Sequence, residues 1–186
     1  MGELRSKKKL FLRTMGISNL CINPEDKKLY SVQFYDYDKK GKEKIFPEDL
    51  KKIMKIFPYD CLFYETKHGF HFISFAILRG SAITKARAIQ LTKELDQQDY
   101  WCSLKDLTLR VAPKWKNKTF KKHYQKVSKK PKFKGLIKEP NKYIISNKHL
   151  EFYYKFMNLP EWVYNKYLDC DKRDYKIKIV NYKTRD

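Results

Sequence analysis

The sequence predicts an α+β protein: two helices on one face of a four-stranded antiparallel sheet, followed by a basic C-terminal extension. Three observations carry this reading. Between residues 29 and 113, β-rich runs and helix-period runs follow one another in the order β-α-β-β-α-β. Each run is bounded by its own turn, cap or proline signal. From Lys114 to Lys138 the composition changes abruptly, to a lysine-rich stretch without a single acidic residue.

Residues 1–28 read as a basic lead-in, with Arg5, Lys7, Lys8 and Lys9 near its start. Residues 29–37 (LYSVQFYDY) are rich in β-branched and aromatic side chains and read as a strand, and the stretch from Asp38 to Lys42 reads as a turn. Pro47, Glu48 and Asp49 open a helix, because proline fits the first turn and carboxylates complement the dipole there. Leu50, Ile53, Met54 and Phe57 then recur at helical spacing up to Pro58. Residues 61–66 and 70–78 are two β-rich runs around Lys67-His68-Gly69, which is a hairpin pattern. Ser81 is placed to cap a helix over 81–95, with Ile83, Ala86, Ala88, Ile89, Leu91 and Leu95 as its apolar residues and Lys85 and Arg87 on the wet side. Residues 107–111 (LTLRV) read as the last strand, ended by Pro113. This order is the ferredoxin-like, or RRM-like, split βαβ arrangement. Residues 114–146 read as a lysine-rich arm or long loop with Trp115, Phe120, Tyr124 and Phe133 interleaved. Residues 147–186 read as a small module of two short helices, over 147–157 and 160–168, and a strand over 175–180.

Composition narrows the partners. The chain has 186 residues, of which 42% are hydrophobic, enough for a real core. Lysine and arginine number 42 against 21 acidic residues, for a net charge of +21. Such an excess repels itself in a folded protein and suits a polyanion. Nucleic acid is the first candidate and an anionic membrane surface the second. Aromatic residues make up 16% of the chain and lie among the cations, a combination that suits base stacking with phosphate contact, or simply core filling. The cysteines Cys21, Cys61, Cys102 and Cys170 form no CxxC pair, so neither a zinc ribbon nor a redox motif can be read, and a reducing, cytoplasmic location is expected. The charged start followed by a short mixed stretch does not read as a signal peptide, and no run approaches membrane-spanning length, so no membrane partner is expected.

The chemistry-bearing residues cluster at two places. Asp36 and Asp38 stand two apart at the end of the first strand and point to one face. Their carboxylates repel unless a cation lies between them, and a divalent Mg²⁺ or Mn²⁺ ion takes such oxygen donors. Aspartates at strand ends are also common turn formers. The pair shares its parity with Val32 and Phe34, so a bulge or a second module covering that face is expected. The second place is the hairpin Thr66-Lys67-His68-Gly69-Phe70-His71. Gly69 is expected to give the turn and to let a phosphate approach the backbone, and His71 falls on the strand expected beside the first.

Both places resemble the motifs of the archaeo-eukaryotic primases. That family carries three motifs on an RRM-like core: hydrophobic residues before D-x-D, a small polar residue before His, and a hydrophobic residue before an acid. Val32-Gln33-Phe34-Tyr35-Asp36-Tyr37-Asp38 resembles the first and Thr66-Lys67-His68-Gly69-Phe70-His71 the second. On the last strand Arg110 stands where the third motif has an acid, and Asp106 is the nearest carboxylate. The resemblance covers residues 29–113. It implies that Asp36 and Asp38 bind catalytic Mg²⁺ or Mn²⁺, with Asp106 completing the catalytic carboxylates. His71, with Lys67 and Arg110, would contact a nucleotide. It also implies single-stranded DNA or RNA and nucleotides as partners, with other replication subunits beside them. Phosphate and base contacts are expected from Lys114, Trp115, Lys116, Lys118, Lys121 and Lys122. A degenerate, non-catalytic primase-like subunit is the same reading without chemistry.

Two other readings use the same core. A rolling-circle initiator or relaxase holds a metal with two histidines one residue apart and attacks DNA with a tyrosine. Here two residues separate His68 from His71, while tyrosines such as Tyr153, Tyr154, Tyr164 and Tyr167 abound. A non-enzymatic RRM-like module would stack bases on Tyr35, Tyr64, Phe72 and Phe75, but the usual basic-Gly-aromatic-Gly signature is absent. An RNA-processing nuclease of the CRISPR type would need a late glycine-rich loop, which the six scattered glycines do not supply.

Overall fold

The computed structural model describes residues 11–38, 47–95, 107–117 and 124–185. Two strands open the chain, β1 (Phe11–Ile22) and β2 (Leu29–Asp38), followed by helix α1 (Pro47–Ile56). The hairpin β3 (Leu62–Glu65) and β4 (Gly69–Arg79) leads to helix α2 (Ala82–Glu94). Five short strands come next: β5 (Thr108–Arg110), β6 (Lys114–Asn117), β7 (Tyr124–Ser128), β8 (Lys132–Leu136) and β9 (Ile144–Ser146). Helices α3 (Asn147–Phe156) and α4 (Glu161–Lys166) precede β10 (Asp171–Arg173) and β11 (Lys176–Arg185). The result is a mixed α+β fold on a mostly antiparallel sheet, with β9–β10 as a parallel pair.

The centre of the sheet is the β2–β4 ladder, where Phe34 faces Ile73, Asp36 faces His71 and Asp38 faces Gly69. β3 lies on the far edge of β4, with Tyr64 opposite His71 and Leu62 opposite Ile73. This β3-β4-β2 order is the one expected of the hairpin and the first strand. On the other side of β2 the sheet departs from the expected order. The strand over 107–111 forms as β5, but it pairs with β1, Gly16 opposite Arg110 and Ser18 opposite Thr108. β1 itself is the strand paired with β2, through Leu20–Ile22. Along one edge β1 meets β2, β5 and β6 in turn, and along the other it meets β11 from Phe11 to Ile22.

β1 lies inside the stretch expected as a lead-in. Its polar residues hide it, because they are buried for their hydrogen bonds. Asn19 Nδ2 donates to the Val32 carbonyl at 3.3 Å, and its Oδ1 accepts from Leu107 N at 3.0 Å, so one amide ties β1, β2 and the start of β5. The lysine-rich stretch after residue 114 likewise forms strands where an arm or loop is expected. β6 and β7 make a hairpin, and β8 adds to β3 with Phe133 opposite Tyr64. Lys132 and Lys134 stay exposed while Phe133 between them turns inward, an alternation that lysine content alone conceals.

The two faces of the sheet are covered differently. Tyr37 Oη donates to Asp49 of α1 at 2.6 Å, and Ser31 Oγ lies 3.1 Å from Thr84 Oγ1 of α2, which sets both helices on the face of the odd-numbered β2 residues. Ser81 makes no side-chain cap for α2; its carbonyl instead accepts from Thr84 Oγ1 at 2.9 Å and Lys85 N at 3.0 Å. The opposite face is covered by α3: the Phe34 ring meets His149 edge-on, 5.9 Å between centroids. A second module therefore covers the face that Asp36 and Asp38 share with Phe34. His149 Nε2 donates to the Ser18 carbonyl at 2.9 Å and its Nδ1 lies 2.8 Å from Ser146 Oγ. This fully bonded imidazole is a structural tie, and burial lowers its pKa to about 4.

A second tie is acidic. Asp60, buried just before β3, accepts a hydrogen bond from Tyr167 Oη at the end of α4 and another, at 3.5 Å, from Ser74 Oγ. The Asp60 amide donates to Tyr143 Oη at 3.3 Å. Burial, and then the neighbouring Asp60 carboxylate, raises the thiols of Cys61 and Cys170. Burial outweighs the bonds from Tyr167 and Ser74 and raises the Asp60 pKa to about 7. Folded Asp60 thus keeps a proton that the unfolded chain, with a carboxyl pKa of ~4, has lost. Its stabilising contribution is complete below pH ~4 and disappears as pH rises through about 7. The buried histidines act in the opposite direction over the acidic part of this range. Comparing the wild type with Asp60→Asn isolates the carboxyl. Denaturant unfolding from pH ~5 to ~8 should show the wild type losing on the order of 1–3 kcal/mol relative to the variant. Parallel pH profiles for the two would refute the assignment.

Candidate functional site

Asp36 and His71 are brought together by pairing alone. Directly opposed residues of an antiparallel ladder lie on one face with their Cβ atoms closest, and the β2–β4 register puts Asp36 opposite His71. His71 Nε2 lies 3.4 Å from Asp36 Oδ1, with the Asp36 side chain 15% exposed and His71 buried. Asp38, one pleat further, is exposed and faces Gly69 across the ladder.

Gly69 is needed here for a reason other than the expected turn geometry. A Cβ built on it would lie 1.7 Å from the Tyr37 carbonyl oxygen and 3.0 Å from Asp38 Oδ1. No side chain fits where β4 starts against the end of β2. The turn itself is built by Thr66, whose Oγ1 accepts from Gly69 N at 3.1 Å and whose amide donates to the Gly69 carbonyl at 2.8 Å.

Arg110 and Lys114 supply the positive side of the site. Arg110 is 8% exposed, and its Nη1 donates to the carbonyls of Ala112 at 2.8 Å and Lys129 at 2.9 Å, which fixes the guanidinium. Both cations act on both members of the pair. For His71, burial and then Arg110 and Lys114 lower the pKa to about 3, so the imidazole is neutral at physiological pH. For Asp36, burial and then the Asp38 charge push the carboxyl well above the usual range, against the pull of Arg110 and Lys114. The two directions agree: burial disfavours the charged form of each group, so it works against an ion pair across the 3.4 Å contact. Asp36 Oδ1 is buried without a hydrogen-bond partner.

The arrangement offers two chemistries. A buried carboxylate oxygen without a partner and a second carboxylate beside it are hard donors suited to Mg²⁺ or Mn²⁺. Such an ion would oppose the upward push that burial and Asp38 exert on the Asp36 pKa. Among the described residues no group of three or more His, Cys, Asp or Glu side chains has the geometry to hold a metal ion, so the pair supplies a partial donor set. Asp106, the expected third carboxylate, lies outside the described residues. The fixed guanidinium and Lys114 suit a phosphate oxygen.

The remaining expected residues divide. Lys67 is exposed in the turn before β4, and Trp115 on β6 is exposed between Lys114 and Lys116. Lys118, Lys121 and Lys122 lie outside the described residues. His68 is exposed in the turn while His71 is buried, and the two belong to no metal-holding group. Tyr35, Tyr64, Phe72 and Phe75, expected as stacking surfaces, are buried and have no free face.

No family model, curated protein or solved structure matches this chain.

Two tyrosines line the inner side of the site. Tyr64 lies opposite His71 across the β3–β4 ladder, and Tyr153 of α3 packs on it with ring centroids 5.5 Å apart. Both hydroxyls are buried without a hydrogen-bond partner. Strand alternation could have placed Tyr64 beside His71; nothing in the sequence signals that Tyr153 would join them. No helix among the described residues is long and apolar enough to cross a membrane.

Replacing Gly69 by alanine should therefore do more than strain a turn. The methyl group collides with the Tyr37 carbonyl, which lies in the chain between the two aspartates, so the end of β2 must move. A loss of stability of about 2–3 kcal/mol is expected, together with a shift of the His71 imidazole resonances in NMR. A variant as stable as the wild type, with unmoved His71 signals, would show that the close approach does not constrain the site.

Proposed function

We propose that this chain is a nucleic-acid-binding replication protein whose Asp36–Asp38–His71 site performs primase-type, metal-dependent nucleotidyl transfer. One observation carries the proposal: the β2–β4 register puts Asp36 of the first motif directly against His71 of the second, with Arg110 and Lys114 acting on both. The two stretches that resemble the archaeo-eukaryotic primases are separate in the sequence and pair with each other in the fold. The β3-β4-β2 strands with α1 and α2 on one face are the part of an RRM-like core that this reading uses.

In this reading Asp36 and Asp38 hold Mg²⁺ or Mn²⁺, with Asp106 as the candidate third carboxylate. The bound ion would activate a 3′-hydroxyl and stabilise the leaving pyrophosphate. His71, neutral and fixed against Asp36, presents a ring nitrogen to the phosphates of the incoming nucleotide. Arg110 and Lys67 add charge for the same phosphates, and Lys114, Trp115 and Lys116 extend the contact to a single strand of DNA or RNA.

A second reading has its own support. Arg110 and Lys114 already oppose the charge on Asp36. A site compensated by protein cations can bind a phosphodiester backbone without chemistry, as a non-catalytic primase-like subunit would.

Primer synthesis on a single-stranded template, with NTPs or dNTPs and Mn²⁺ or Mg²⁺, separates the two. The wild type should extend primers, and the Asp36→Ala/Asp38→Ala variant should bind template with unchanged affinity and make no product. Tight binding by both proteins with no product from either would remove the catalytic reading and leave the second. The basic surface sets a further expectation. With several lysines on phosphates, template affinity should fall roughly 10³-fold or more between ~50 and ~200 mM salt. An affinity that does not change with salt would exclude backbone contact as its source.

A further inference from the structure

Trp162 is turned outward from α4 and is 53% exposed, which is unusual for the largest side chain in a well-packed module. It is nevertheless held. Its ring meets Phe133 edge-on at 6.4 Å, and Lys166 Nζ stands 5.9 Å over it. Phe133 in turn packs on Tyr64 at 5.5 Å, and Tyr64 lies opposite His71. Two ring contacts thus connect an exposed indole to β3, the strand paired with the one that carries His71.

The surroundings are cationic. Lys132 and Lys134 flank Phe133 on β8, and Lys129 and Lys130 precede them, all four exposed. Lys134 pairs with Glu65 and Lys166 with Glu139, whereas Lys129 and Lys132 have no acidic partner among the described residues. The Lys129 carbonyl also accepts from Arg110, so this run of lysines begins at the site and leads to the indole. A fixed, half-exposed aromatic beside unpaired cations is the pairing that single strands use, base on ring and phosphate on ammonium.

We propose that Trp162 is a base-stacking platform for single-stranded nucleic acid whose backbone follows Lys129, Lys130 and Lys132 toward Asp36 and His71. This rests on the reading of the chain as a nucleic-acid-binding protein and adds to it where the strand lies. The C-terminal module thereby becomes part of the binding surface as well as a cover for the sheet.

The test uses the full chain with Trp101 and Trp115 replaced by phenylalanine, which leaves Trp162 as the sole indole. Titration with oligothymidylate or oligouridylate should quench its fluorescence. In the otherwise wild-type chain, Trp162→Ala should weaken oligonucleotide binding roughly tenfold. The salt dependence should stay unchanged, because the indole carries no charge. Trp162→Phe should recover part of the loss. Lys132→Ala should instead lower the slope of log affinity against log salt by about 0.7. Since Trp162 is exposed, the alanine variant should unfold at the wild-type temperature. Wild-type affinity in Trp162→Ala, or an indole that saturating oligonucleotide leaves unquenched, overturns this proposal alone. A wild-type chain that binds neither oligonucleotide overturns it together with the nucleic-acid reading.

Discussion

A slip of one residue between β2 and β4 would carry Asp36 to the face of the sheet that packs on α1 and α2, and would exchange it there for Tyr35 or Tyr37. Little of the site would survive. The register is held from both ends. At one end Gly69 admits the Tyr37 carbonyl so closely that no other residue fits. At the other, the ladder shifts between Ser31 and Gln33, and Ser31 Oγ donates to the Gly80 carbonyl at 2.6 Å. Between these ends the alternation sorts the side chains: Tyr35 and Tyr37 to one core, Phe34 and Asp36 to the other. The pair Asp36–His71 follows from this one ladder, and so does the position of Tyr64, through the adjoining pairing of β3.

The second core explains how a carboxylate comes to be sheltered on a sheet face. Residues 147–175 pack over Phe34, Tyr64 and Phe75, and they are bound to the sheet by polar contacts that leave no water between: His149 to the Ser18 carbonyl, and Tyr167 to Asp60. Burial of this kind raises Asp36 and lowers His71 together. The site is thus reactive toward charge because its cover is apolar, and the cations that answer it arrive from β5 and β6 at its margin.

What the sequence discloses depends on whether a residue's neighbours are local. The β2 and β4 strands, the four helices and the adjacency of Asp36 and His71 are legible, since helical periodicity, strand alternation and a short hairpin determine them. Arg110 could be singled out in the sequence but not placed, because β5 pairs with β1 and not with β2. β1 escapes a reading by alternation because Thr14 and Asn19 are buried with side-chain hydrogen bonds to Ala112 and Leu107, far along the chain. Tyr64 and Phe75 are strand aromatics that look free for stacking, and only the packing of Tyr153 and Tyr167 shows that they are core, while Phe72 lies against Tyr37 on the face of α1 and α2. Trp162, by contrast, sits in a short helix where an apolar residue is expected to turn inward, and its exposure has no sequence signature.

β1 also has a kinetic consequence. Its outer edge is completed by β11, with Phe11 opposite Arg185 and Ile22 opposite Lys176, so the first described strand is closed by the last. Its other edge waits for β5 and β6, nearly a hundred residues downstream. Contacts this distant in sequence must defeat a large loop-closure entropy before they contribute, and folds rich in them form in roughly milliseconds to seconds. On the ribosome, β1 can hold only its short hairpin with β2 until β5 and β6 have emerged, and its outer edge finds its partner only when residues 176–185 follow. Until then its outer edge, with the unpaired amides and carbonyls of a long strand, stays open to any other chain that can add to it.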